Sequence, residues 1–138
     1  IWATGEIPRG SALEDVGGRF YLDSACTRPD GLLDDQALVL EADGGLVVVL
    51  GCAHAGVINT LDYVAGLFRG RQIRTVLGGM HLVRASRARI AHTIVALCRH
   101  NVQRIGPAHC TGLEASRGLW DALPEKCFVC NVGTQITF

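Results

Sequence analysis

Three histidines stand at matching places in this sequence, each just past a short apolar run that stops at glycine. The runs are Leu46-Val-Val-Val-Leu-Gly-Cys-Ala-His54, Ile73-Arg-Thr-Val-Leu-Gly-Gly-Met-His81 and Val102-Gln-Arg-Ile-Gly-Pro-Ala-His109. Imidazole is the commonest protein ligand for zinc and related ions. Each run is rich in β-branched residues and reads as a buried strand. In open α/β sheets ligands gather beyond the strand ends, where the chain turns into the next helix. Histidines delivered to three such ends converge on one rim, so His54, His109 and His81 are the candidate metal ligands. Against this stands the ordinary fate of a single histidine after a strand, a hydrogen-bonded core or surface residue; it is the repetition that argues for a site. His92 and His100 have no partners at matching positions and read as surface or boundary residues.

The elements that must carry these residues follow from the periodicity. Gln36 to Ala42 and Leu46 to Leu50 form a hairpin about Asp43-Gly-Gly45. Ala55 to Phe68 repeats Val57, Leu61, Val64 and Leu67 at helical spacing, leaves Asn59 and Asp62 off the stripe, and ends at Gly70. Ser86 is an N-cap for a helix to about Asn101 with Ile90, Ile94 and Leu97 inward. Thr111 and Glu114 fit a capping box for a helix over Leu113 to Leu123, and a helix start beside His109 favours an anion there. Arg19 to Leu22 reads as a short strand, and Cys127 to Val132 and Thr134 to Phe138 as closing strands. Asp34-Asp35 ends a polar loop directly before a strand, a solvated pair or a place for metal or substrate.

Composition narrows the function classes. A chain of 138 residues is one domain in size and can bury a core. Charged residues make up 19%, below the roughly 25% of soluble domains, so part of the surface is expected to lie under a partner, another copy or a missing part of the chain. Zero net charge without a basic cluster argues against nucleic acid. No apolar run reaches the ~20 residues of a membrane span. Six cysteines sit mostly in apolar segments and are expected to be reduced thiols of a cytoplasmic protein. Cys127 and Cys130, three apart, point to opposite faces of a strand and make no pair. A cysteine-dependent enzyme built on Cys110 beside His109, or Cys52 near His54, lacks an evident orienting acid.

Taken together, Thr4-Gly-Glu-Ile-Pro-Arg9, Asp34-Asp-Gln-Ala-Leu38, Gly45 to Asn59, Gly78-Gly-Met-His-Leu82 and His109-Cys-Thr-Gly112 resemble metallo-β-lactamase-fold proteins. The resemblance is to the branch named for 7,8-dihydropterin-6-methyl-4-(β-D-ribofuranosyl)aminobenzene-5′-phosphate synthase. It spans nearly the whole chain and corresponds to roughly the C-terminal half of such a protein. It implies an α/β architecture: half of an αββα sandwich, with a mixed sheet, flanking helices and metal at one edge. Residues 1–138 are then a single unit, the C-terminal portion of the domain. By position, His54 follows the first metal-binding motif and His109 is the last histidine ligand. Where the superfamily often has a bridging aspartate, this chain has Gly79, Met80 and His81. The His-x-His-x-Asp-His cluster of the superfamily has no match here.

The activity implied is a metal-dependent hydrolase or related transferase, in which metal-activated water attacks a phosphate, ester-type or pterin-linked small molecule. The ion is expected to be zinc, with manganese or iron as alternatives. Asp35, Thr111 and Gly112 are the candidate substrate contacts. The partners expected are a small-molecule substrate and the missing N-terminal half or a second copy, with neither nucleic acid nor membrane. Without the N-terminal cluster the chain alone is expected to bind metal weakly and turn over little. The alternative is a truncated, non-catalytic binding or assembly module that oligomerises through the exposed half-sandwich face.

Overall fold

The computed structural model describes all 138 residues. Five strands form one sheet in the order of the sequence: β1 (Trp2–Ala3), β2 (Ala37–Ala42), β3 (Gly45–Leu50), β4 (Ile73–Gly79) and β5 (Arg104–Ala108). The hairpin between β2 and β3 makes that pair antiparallel, as is β1 on β2. Helix α1 (Val57–Leu67) then crosses to β4 and α2 (Arg87–Arg99) crosses to β5, and such crossovers produce parallel pairs. The sheet is therefore mixed. The final helix, α3 (Leu113–Ala122), follows a single 3-10 turn at His109–Thr111.

Alternation along the strands decides which face is covered. Val39, Leu46, Val48, Leu50, Ile73, Val76 and Ile105 share the core with Val57, Leu61 and Val64 of α1, Ile90 and Leu97 of α2, and Leu119 of α3. Helix α2 packs against both α1 and α3, so all three helices lie on this face. The opposite face presents Leu38, exposed at 45%, beside half-buried Leu40, Val49 and Leu77. Part of that face is covered by the end of the chain, where Phe128 sits against Gly106 and the Arg104 guanidinium lies over the rings of Phe128 and Phe138.

Several local expectations are corrected. Arg19 to Leu22 is not a strand; Tyr21 makes one isolated bridge to Pro29. Residues 127–138 form no strands, because Phe128 and its neighbours turn onto the sheet face and only Cys127 bridges Ile105. Asn59 is buried rather than facing solvent. Its side chain accepts from the amides of Gly10 (3.0 Å) and Ser11 (2.8 Å) and donates to the carbonyl of Ala55 (2.7 Å). A buried amide satisfied this fully is stable in an otherwise apolar helix face. Ser86 does cap α2, accepting from the Arg89 amide. Thr111 does not cap α3: the N-cap is Gly112, and no side chain bonds there. No helix is long and apolar enough to cross a membrane.

Candidate metal centre

The turns after the parallel strands β3, β4 and β5 carry His54, His81 and His109 to one edge of the sheet. Each turn contains a non-glycine residue in the left-handed region: Ala53 (φ 55°), His81 (φ 49°) and His109 (φ 49°). Such residues cost on the order of 1 kcal/mol each and persist where surrounding contacts determine them. The determining contacts are visible. The Asp35 carboxylate accepts from the Ala55 amide at 2.8 Å. Arg9 donates to the carbonyls of His54 (2.6 Å), Gly31 (2.5 Å) and Leu32 (3.2 Å). The His81 amide donates to Cys110 Sγ at 3.3 Å.

Two sets of donor atoms result, each within 4.8 Å of one another: Cys52, His54 and His81, and Cys52, His109 and Cys110. His54 and His81 face each other with ring centroids 4.3 Å apart. His109 joins the second set and is exposed, so the structure links it to His54 through Cys52 rather than within one triad. Histidine nitrogen and thiolate sulfur are a donor set that suits zinc. His54 Nδ1 is buried without any hydrogen-bond partner. A buried imidazole nitrogen left without a partner, on a ring stacked near a second imidazole and grouped with a thiol, fits a cation.

The electrostatics agree. Burial, then the neighbouring His54 and Arg89, holds the His81 pKa below the ordinary histidine value, which keeps its imidazole neutral and able to donate a lone pair. Burial, then the hydrogen bond and charge of Cys110, pushes the Cys52 thiol up to about 12, with Asp35 adding to the effect. Cys52 is thus no ready nucleophile at neutral pH, which counts against a cysteine-dependent enzyme. A bound cation reverses that balance, since a coordinating thiol is deprotonated outright.

The candidate substrate contacts separate by environment. Asp35, half-buried, lines a recess with Leu32, Asp34, Gln36, Cys52 and His54. Thr111 is fully buried, and its hydroxyl donates to the Ala108 carbonyl (2.7 Å) and accepts from the Met80 amide (3.1 Å). It clamps the β4 and β5 turns together. Gly112 (φ 77°) starts α3, and a Cβ there would press on Val83. Cys52 and Cys110 are not among the ligands that the strand-glycine-histidine repeat predicts, although a cysteine adjoins or nearly adjoins a candidate histidine in both Gly-Cys-Ala-His54 and His109-Cys-Thr. Nor does that repeat point to Glu14 or Arg89. Buried Arg89 pairs with Asp15, which tethers the loop passing His81; a Cβ on Gly17 would overlap that imidazole.

Glu14 caps α1 from a distant loop, accepting from the amides of Ile58 (2.9 Å) and Asn59 (2.8 Å). Burial nevertheless dominates and raises its pKa above the ordinary 4.5, the capping bonds and Arg89 only offsetting this. The folded state then holds the proton more tightly than the unfolded state. Its contribution is fully present below pH 4.5 and is lost as pH rises through the folded value. Urea titrations from pH 4 upward should show this decline in wild type and its loss in Glu14→Gln, which keeps an acceptor. Equal pH slopes would disprove it.

No family model matches the chain. The 7,8-dihydropterin-6-methyl-4-(β-D-ribofuranosyl)-aminobenzene-5′-phosphate synthase of Methanocaldococcus jannaschii is 29% identical over 121 residues, 88% of this chain and 41% of that protein. An uncharacterized protein of the same organism is 35% identical over 86 residues, 62% of this chain and 30% of its own length. A crystal structure of a metal-dependent hydrolase of the β-lactamase superfamily superposes with a TM-score of 0.77 at 33% identity, over 80% of this chain and 43% of that one. The chain thus spans less than half of the length of each of these relatives.

Proposed function

On the premise that sequence and fold are those of a metallo-β-lactamase-superfamily relative, we propose that this chain is the C-terminal part of a metal-dependent hydrolase or related transferase. The observation that carries the reading is the pairing of the His54 and His81 rings at 4.3 Å, with His54 Nδ1 buried and unpartnered. His54, His81 and Cys52 would hold one divalent ion, with His109 and Cys110 sharing Cys52 on the other side. Zinc suits this donor set, and manganese or iron are the alternatives. When bound, such an ion supplies the positive charge that lowers the pKa of a coordinated water to about 7.

The chain's own residues do the positioning. Arg9 and Asp35 fix the His54 turn from two sides. Thr111 fixes the His81 turn through the Met80 amide. Asp34 and Asp35 rim the recess beside Cys52 and His54, where they would orient the polar end of a substrate. A phosphate, ester-type or pterin-linked compound is the substrate class, on the strength of the relative's name. The remaining ligands would come from a His-x-His-x-Asp-His segment outside these residues.

A second reading, a non-catalytic assembly module, is favoured by the apolar sheet face around Leu38. Metal analysis and gel filtration distinguish the two. The first predicts weak metal uptake and little hydrolysis of a generic phosphodiester by this chain alone, and stoichiometric metal with turnover once a His-x-His-x-Asp-His half is supplied. A dimer that takes up no metal even then would establish the second.

A further inference from the structure

Cys52 and Cys110 lie on turns that leave different strands, β3 and β5, with β4 between them. They meet because both turns fold over the end of β4 at Gly79. A Cβ there would lie 2.5 Å from the Gly51 carbonyl oxygen and 2.8 Å from Cys110 Sγ. In the space that glycine leaves open, the sulfurs of Cys52 and Cys110 approach to 3.0 Å, and the Cys110 thiol donates to the Cys52 carbonyl at 3.3 Å. A disulfide needs its sulfurs at ~2.05 Å, a further closure of about 1 Å that side-chain rotation can supply. Both residues are half-buried, so a small oxidant can reach them; Cys130 is half-buried too, Cys26 and Cys98 are exposed and Cys127 is buried, and it is the 3.0 Å approach that singles out Cys52 and Cys110.

We propose that Cys52 and Cys110 form a covalent modification site, a thiol pair that hydrogen peroxide oxidises to a disulfide, removing the one sulfur common to both candidate ligand sets. Cys110 attacks a peroxide oxygen through its thiolate sulfur; the O–O bond breaks, the hydroxide released takes up the proton the thiol gave up and leaves as water, and a sulfenic acid remains on Cys110. The second thiol's sulfur attacks the sulfenic sulfur, the S–O bond breaks, and a second water departs. The two thiols lose two electrons and two protons in all, and the peroxide is reduced to two waters. The consequence for metal rests on the reading of Cys52 as a ligand: an oxidised chain loses a donor from both sets at once.

The experiment is hydrogen peroxide titration of the purified chain, with thiol counting and non-reducing peptide mapping of the monomer. Two thiols per chain should disappear, a peptide pair joining residues 52 and 110 should appear, and dithiothreitol should restore both. In Cys52→Ser, with unchanged circular dichroism, Cys110 should instead be trapped as a sulfenic acid that dimedone labels. A cross-link between other cysteines, or both residues carried to sulfinic acid without any cross-link, overturns the proposal. Excess zinc should slow the cross-link at least tenfold. A cross-link that forms equally fast with and without zinc upholds the thiol pair and overturns only the ligand reading.

Discussion

Replacing Gly78 with alanine is expected to destabilise the chain by about 3 kcal/mol, from left-handed strain and overpacking together. Gly78 has φ 118°, a conformation that L-residues rarely adopt. It also pairs with Leu50 on one side and Pro107 on the other, at the C-terminal ends of the three parallel strands. A Cβ there would run into the Leu50 carbonyl oxygen and lie 3.1 Å from Leu50 Cβ. Backbone in the middle of a sheet has nowhere to move, so relief must come from parting β3 and β4, which also separates the His54 and His81 turns. Gly66 provides the contrast: it lies within α1 with nothing near its missing Cβ. Gly66→Ala should stabilise the helix by roughly 0.5–1 kcal/mol. Urea unfolding of both variants checks the pair, and a Gly78→Ala midpoint equal to wild type would refute the strand register.

The largest effect on metal is expected from the facing imidazoles. His54→Ala and His81→Ala should each weaken zinc binding by ~100-fold or more, since loss of even an outer-shell partner costs about 10–100-fold. The double variant should be little worse than either single one, because residues of one site are not additive. His92→Ala, exposed on α2, should leave affinity unchanged. Competition against a chromophoric chelator, with a His-x-His-x-Asp-His half supplied to the chain, measures all four. Equal affinities for His54→Ala and wild type would remove the physical basis of the centre.

Much of the scaffold was legible because it rests on local rules. Asp43-Gly44 forces a hairpin, Ser86 caps α2, and the unbroken apolar run from Leu46 to Leu50 marks a buried strand with Leu46, Val47 and Val48 all enclosed. The delivery of three histidines to one edge followed from the repeat of strand, glycine and histidine. What stayed hidden depends on contacts between distant residues. Asn59 looks like a surface position until Gly10 and Ser11 bring their amides to it. The final twelve residues alternate like strands, yet the sheet face draws Phe128 and Phe138 down by packing on Arg104. The sharing of Cys52 between two donor sets needed the fold over Gly79, which no local pattern encodes.

Arg9 precedes every long strand and helix, yet its guanidinium holds the carbonyl of His54. The conformation of the His54 turn therefore depends on a contact that spans 45 residues of chain, not on its local sequence alone. Arg9→Ala should leave sheet and helices standing while amide hydrogens at Ala53 to Ala55 exchange faster, a loosening confined to that turn and to the loop at Gly31 and Leu32 that the same guanidinium holds.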